Sequence, residues 1–307
     1  MNFNLKGQTL ELEISLIKGG LVIIEMERED LALSFSELRK QTAEELFSIS
    51  FQDELLLIKE KPWKNATLPT AFFRNEARND LVLKIPTGTR LRGTITTVSG
   101  DIRAASITGS LKMKTISGQM NFGRIESNRL NLQNIGGNLN IENLAGAISV
   151  KMISGNCQIQ DGRISRFAFS SVSGDISVNA SLDLDRDSTI HTVSGDATLN
   201  ILGYTGESRI YISTLSGETA ITGDYPHEKI EIKNRMPFLK SHPFKAFMPA
   251  MKSFVSSFAK MADDGDVEVH TAAETKGNDK YIQQILQMLA DGKINAEEAE
   301  KLISALK

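Results

Sequence analysis

The chain has 307 residues, 40% hydrophobic and 24% charged, with a formal net charge of −3 and a pI near 5.9. That balance, without any Lys/Arg run, argues against nucleic acid as a partner, and no stretch of 18 apolar residues offers a spanning helix. The start, MNFNLKGQTLELEISL, lacks the basic and apolar regions of a secretion signal, and the single cysteine, Cys157, excludes an internal disulfide, so a reducing cytoplasmic location is expected.

Residues 1–90 are β-rich without a clear repeat: LELEISLI from Leu10, LVIIEME from Leu21, LFSISF from Leu46, ELLLIKE from Glu54 and DLVLKIP from Asp80. The exception is SELRKQTAEELF, where Ser36 reads as a helix N-cap and Leu38 and Leu46 stand at helical spacing. The segment is expected to supply leading coils and a cap, because an open solenoid end is a raw sheet edge.

Pro86-Thr87-Gly88 turns the chain into residues 91–234, where one seven-residue phrase recurs: TTVSGDI from Thr96, KTISGQM from Lys114, QNIGGNL from Gln133, KMISGNC from Lys151, SSVSGDI from Ser170, HTVSGDA from His191 and STLSGET from Ser213. The central glycines, Gly100, Gly118, Gly137, Gly155, Gly174, Gly195 and Gly217, fall 18 to 22 residues apart. That is the period of a solenoid, whose coils bury their apolar faces only against neighbouring coils. A half-repeat at Gly109 and Gly146 gives each coil two short strands.

Counted from the central glycine, position −5 (Ile95 to Ile212), position +2 (Ile102 to Thr219) and position +4 (Ala104 to Ile221) are mostly apolar. So is position −2: Val98, Ile116, Ile135, Ile153, Val172, Val193 and Leu215. All four columns are expected to point mostly inward, and position −4, which includes His191, outward into solvent. The glycine itself is expected to serve a sharp turn at positive φ. Position +1 stacks Asp175, Asp196 and Glu218 on the last three coils, about 4.8 Å apart. These carboxylates read first as turn residues bonding to their own turn's backbone, with a weak cation site or a catalytic pair as the alternatives.

Residues 235–277 change character. From Arg235 to Met261 there are five basic residues and no acidic one, and Phe244, Phe247, Met248, Met251, Phe254, Val255 and Phe258 fall at helical spacing. An amphipathic helix from about Pro249 is expected, either lidding the last coil or lying on an anionic membrane surface as a peripheral contact. Residues 278–307 read as a helical hairpin: Ile282, Ile285, Leu286 and Leu289 form one stripe and Leu302, Ile303 and Leu306 another, with Gly292 ending the first helix and Asn295 capping the second. Thirty residues cannot bury both stripes alone, so self-association or a protein partner is expected there.

Chemistry is sparse. There is no GxSxG, HExxH, phosphate loop or dinucleotide fingerprint, and His227, His242 and His270 have no carboxylate or cysteine at ligand spacing. Cys157 sits in an inward column and reads as a buried thiol. Phe122, Phe167 and Phe169 also face inward and Trp63 precedes the repeats, leaving no aromatic platform for a sugar. No catalytic residue, metal or cofactor is expected.

The TVSGDI-type repeat, entered through a strand ending in IPTG (Ile85 to Gly88), resembles the bacterial "putative adhesin" family over roughly residues 45–270. The closing ILQMLADGKINAEEAEKLISAL is similar to the SHOCT-type helical hairpin over residues 279–307. The first resemblance implies an all-β fold, a single-stranded right-handed parallel β-helix (β-solenoid) of about seven or more coils; the second implies oligomerisation. Together they imply an interaction protein or scaffold linked to envelope stress. The alternative function is a polysaccharide-binding or polysaccharide-cleaving β-helix.

Overall fold

The structure, a computed structural model, describes residues 1–36, 42–61 and 80–233, and these are almost entirely strand. A short β1 (Asn2–Phe3) precedes β2 (Thr9–Leu16) and β3 (Leu21–Met26). In β2 the alternation is complete: Leu10, Leu12, Ile14 and Leu16 are buried and Glu11 and Glu13 are exposed, as a strand with one buried face requires. The chain then makes a detour through β4 (Leu31–Phe35), α1 (Ala43–Leu46), β5 (Phe47–Gln52), β6 (Leu55–Glu60) and β7 (Leu81–Pro86).

It returns in β8 (Arg90–Thr97), which pairs in parallel with β2, and in β9 (Ile102–Ser117), which pairs in parallel with β3. The strands β2 and β3 are therefore the first full coil, although no copy of the SGD phrase marks it. On the other side of that coil lie β6, parallel to β2, and β7, parallel to β3. Antiparallel strands finish this end: β5 on β6, β4 on β7 and β1 on β4. The β5–β6 hairpin turns at Asp53 and Glu54, both at positive φ (50° and 63°), as a tight two-residue turn demands.

Of the helix expected from Ser36, residues 37–41 lie outside the described residues. The described helix begins at Ala43 with Thr42 before it, because Glu45 is three residues on and accepts the Thr42 N–H at 3.1 Å. Ser36 Oγ accepts the Asp80 N–H at 3.0 Å.

From β9 onward the coils stack without interruption: β10 (Met120–Gly136), β11 (Leu139–Ser154) and β12 (Cys157–Ser173) each make almost a whole turn. Later coils split into β13 (Ile176–Asp183) and β14 (Ser188–Ser194), β15 (Ala197–Thr205) and β16 (Ile210–Ser216), then β17 (Thr219–Gly223) and β18 (Ile230–Lys233). Every pairing among them is parallel, with like positions opposite one another: Phe122 beside Ala104 and Ile141, Phe169 beside Val150 and Ile190. The fold is a parallel β-solenoid.

Positions −5, +2 and +4 fill the interior, from Ile95, Ile102 and Ala104 through Ile190, Ala197 and Leu199, with Phe167 and Phe169 stacked at a centroid distance of 5.4 Å. Position −2 does not. Val98, Ile116, Ile135, Ile153, Val172 and Val193 are half-buried and Leu215 is exposed, so the expectation that this column points inward is wrong. The reason is parity: strand side chains alternate, so a strand that sends −5 inward sends −3 inward and −2 outward. The inward residues are Thr97, Thr115, Asn134, Met152, Ser171, Thr192 and Thr214, at most 5% exposed. Polarity misled the expectation: Thr97, Asn134, Thr192 and Thr214 donate to turn carbonyls inside, while the Thr115 and Ser171 hydroxyls are buried without a hydrogen bond among the described residues.

Candidate functional site

Each coil has a corner at its central glycine, and the corners stack. A Cβ on Gly100 would lie 2.2 Å from the Gly19 carbonyl oxygen, and one on Gly118 would lie 2.2 Å from that of Gly100. The same approach repeats through Gly137, Gly155, Gly174, Gly195 and Gly217. Positive φ cannot be the common cause, since Gly100 and Gly118 lack it. What all share is a neighbouring carbonyl where a side chain would begin. Gly19 is thus the first corner, in a KGGL setting that does not resemble the repeat.

Inside the corner, several −3 side chains donate to the turn. Thr97 Oγ1 donates to the Gly100 carbonyl at 3.1 Å and Thr192 Oγ1 to that of Gly195 at 3.1 Å. Asn134 Nδ2 reaches two coils at once, donating to Gly137 O at 2.9 Å and Gly118 O at 3.2 Å. Such donors matter because a buried carbonyl left unpaired costs free energy.

Outside the corner, position +1 forms a second ladder. Asp101 Oδ1 accepts the Gln119 N–H at 2.9 Å, Asn138 Oδ1 that of Asn156 at 3.0 Å, and Asn156 Oδ1 that of Asp175 at 3.0 Å. Asp175 Oδ1 then accepts the Asp196 N–H at 2.9 Å, and Asp196 Oδ1 that of Glu218 at 2.8 Å. The partner is the next coil's backbone, whereas the sequence suggested each turn's own. Asp175, Asp196 and Glu218 do stand in one column, with one oxygen of the first two already engaged. Among the described residues no three His, Cys, Asp or Glu side chains converge as a metal site requires.

The N-terminal end uses carboxylates that sequence reasoning missed. Glu60, 7% exposed, accepts the N–H groups of Ile17 and Lys18 at 2.6 and 3.0 Å, and Asp80 accepts that of Gly20 at 2.9 Å. They do for the first corner what a preceding coil would do. The signal was the parity of Leu56, Ile58 and Glu60 in ELLLIKE, which places the acid on the inward side.

The outer face before each corner carries position −2 as an aliphatic column, with position −4 beside it. His191 was expected in solvent; it is half-buried, its Nδ1 lies 2.6 Å from Ser213 Oγ, and burial holds its pKa below the usual histidine value. Lys114, in the same column, is also buried, and its pKa is lowered first by desolvation and then by the charge of Lys112. Position −4 is flanked by two rows of tightly stacked neighbours, so outward does not mean exposed.

Cys157 is 1% exposed in the +2 column, and burial pushes its thiol up to about 12, so it is protonated and inert at neutral pH. His227 lies in a short turn with its ring edge-on to Tyr225 at 4.8 Å. Among the described residues no helix is long and apolar enough to cross a membrane. The stripe Phe244, Phe247, Met248, Met251, Phe254, Val255 and Phe258, and the hairpin residues Ile282, Ile285, Leu286, Leu289, Leu302, Ile303 and Leu306, lie outside the described residues.

Comparison with known proteins gives two family matches. The model of the family described as Toastrack DUF4097 matches residues 10–236, and a SHOCT-like domain model matches residues 280–307. Among solved structures the chain is similar to a "putative adhesin" from Bacteroides fragilis, at 14% identity and a TM-score of 0.44, covering 73% of this chain and 95% of that one. No curated protein matches.

Proposed function

The chain belongs to the Toastrack DUF4097 family, and from that premise we propose that it is a non-catalytic scaffold at the bacterial cell envelope, assembling through residues 279–307. The observation that carries the scaffold reading is the outer face: an unbroken aliphatic column from Val98 to Leu215, in register on successive parallel strands, bordered by hydrogen-bonding side chains. A flat apolar line with polar edges is the composition of a protein-binding surface. The residues that would have to perform chemistry are occupied otherwise. Asp175 and Asp196 hold neighbouring amides, Cys157 is buried, and His191 is bonded to Ser213.

Assembly through the hairpin rests on the SHOCT-like match and on two apolar stripes too short to bury each other. In the same reading the basic Phe/Met stretch of residues 244–258 gives a peripheral membrane contact, and clustering of copies multiplies such weak contacts. The envelope-stress setting is taken from the family resemblance.

Light scattering on the full chain tests the assembly. A mass at a multiple of 33.8 kDa is expected, falling to the monomer in the double variant Leu286→Glu/Leu302→Glu. A wild-type protein that already runs as a monomer, or a variant of unchanged mass, would remove the hairpin from the account.

A further inference from the structure

Each coil bends a second time, and this bend has its own column of close approaches. A Cβ on Gly93 would lie 2.0 Å from Leu12 O, one on Gly109 2.1 Å from Leu91 O and one on Gly146 2.0 Å from Ser127 O. No side chain can grow from these positions without parting the coils. The coil between Gly109 and Gly146 breaks the column: Ser127, Asn128 and Arg129 bulge where β10 shifts register against β9 and β11. The bulge is braced by Ser127 Oγ, which accepts the Arg129 N–H at 3.1 Å.

Glycine floor and bulge together leave a depression of about 530 Å³ that runs over four successive coils, from Arg90 and Arg92 past Glu126 and Asn128 to Ala145. Thr108, Ser110, Gly109 and Gly146 also line it. Arg90 and Arg92 point outward on either side of buried Leu91, both exposed, and among the described residues neither guanidinium has a hydrogen bond or ion pair.

We propose that this depression binds a uronate-bearing oligosaccharide. Two unpaired guanidinium forks on one strand are donors suited to carboxylates. Hydroxyl and amide groups of Thr108, Ser110 and Asn128, with Glu126 as acceptor, suit a partner rich in hydroxyls. No aromatic or large aliphatic side chain lines the site, which disfavours lipid and flat hydrophobic ligands. Glu126 also selects among anions, since its charge opposes a densely charged phosphate chain more than a uronate with one charge per sugar. The site needs no catalytic group and stands apart from the outer column on which the scaffold reading rests.

The test is titration of the full chain with hexagalacturonate, followed by isothermal calorimetry at low and high salt. Saturable sub-millimolar binding that weakens with salt is expected, with no heat from a neutral glucan hexamer. Arg90→Gln/Arg92→Gln should weaken binding at least tenfold. Ala145→Tyr, which fills the depression and keeps the charges, should do the same, while Glu126→Gln should strengthen it a few-fold; melting curves confirm that each variant is folded. Absence of saturation, or binding indifferent to both Arg90→Gln/Arg92→Gln and Ala145→Tyr, overturns the site. Equal or tighter binding of a polyglycerol phosphate overturns the choice of a carboxylate.

Discussion

Two adjacent glycines in QNIGGNL should respond in opposite ways to one added methyl group. At Gly137, whose φ is +149°, the new Cβ would sit 2.2 Å from Gly118 O and 2.8 Å from Gly118 C. An ordinary contact needs about 1 Å more, so the two corners must part. The Asn134 Nδ2 bond to Gly118 O and the Met120 N bond to Asn138 O then lengthen together. Two weakened bonds in a buried corner cost about 1–1.5 kcal/mol each, and a side chain at that φ adds about 1–3 kcal/mol. Gly137→Ala should therefore lose about 3–6 kcal/mol, or about 6–24 °C in Tm for a domain of this size. At Gly136 the added atom meets only Ile116 O, at 3.7 Å, in extended backbone within β10. Gly136→Ala should be neutral or gain about 0.4–1 kcal/mol by restricting the unfolded chain. Thermal and urea melts followed by circular dichroism separate the two. Equal effects, or the larger loss at Gly136, would refute the claim that close approach between coils fixes the glycine column.

Two further outcomes follow from the corner ladder and the outer face. Asp175→Asn keeps the acceptor that the Asp196 amide needs, as Asn156 already does for Asp175, and should leave Tm unchanged; Asp175→Ala removes it and should cost about 0.5–1.5 kcal/mol. His191 has a folded pKa below its ordinary 6.5, so its contribution to stability is present above about pH 6.5 and is lost as pH falls toward the folded value, where the unfolded chain takes up a proton first. His191→Gln should flatten that part of the Tm profile between pH 7 and 5.

The solenoid was legible because seven copies of one phrase put apolar residues in register, and stacking turns any such column into a continuous core. Inward packing of Ile95, Cys157 and Phe169 could be read directly for that reason. The −2 and −3 columns were not legible from hydrophobicity. Thr97, Asn134 and Thr192 are polar because the turn carbonyls inside the corner need donors, and only the two-residue period locates them inside. The first coil was hidden because its phrase, IKGGL, has no serine or aspartate; its neighbouring amides are served by Glu60 and Asp80 instead. Both residues come from a detour that no local pattern connects to Gly19. In the candidate site, the alignment of Asp175, Asp196 and Glu218 was visible, but their bonds to the next coil depend on the stacking geometry. The depression at the second bend was invisible, since it arises from Arg90, Arg92 and a three-residue bulge on different coils.

The orientation of the repeat strands is what makes the aliphatic column an outer face rather than core, and one pair of neighbouring substitutions measures it. Met152 is 1% exposed at position −3 of β11, and Ile153 beside it is half-buried at position −2. An aspartate at 152 would put an acceptor-only charge among turn carbonyls, at a cost of about 3–5 kcal/mol or more, while one at 153 would stand at the surface and cost about 1 kcal/mol or less. Thermal melts should show Met152→Asp losing about 6 °C or more, or failing to fold, with Ile153→Asp within a few degrees of the parent. Collapse of Ile153→Asp with Met152→Asp tolerated would turn the strand over and remove the outer face on which the scaffold reading depends.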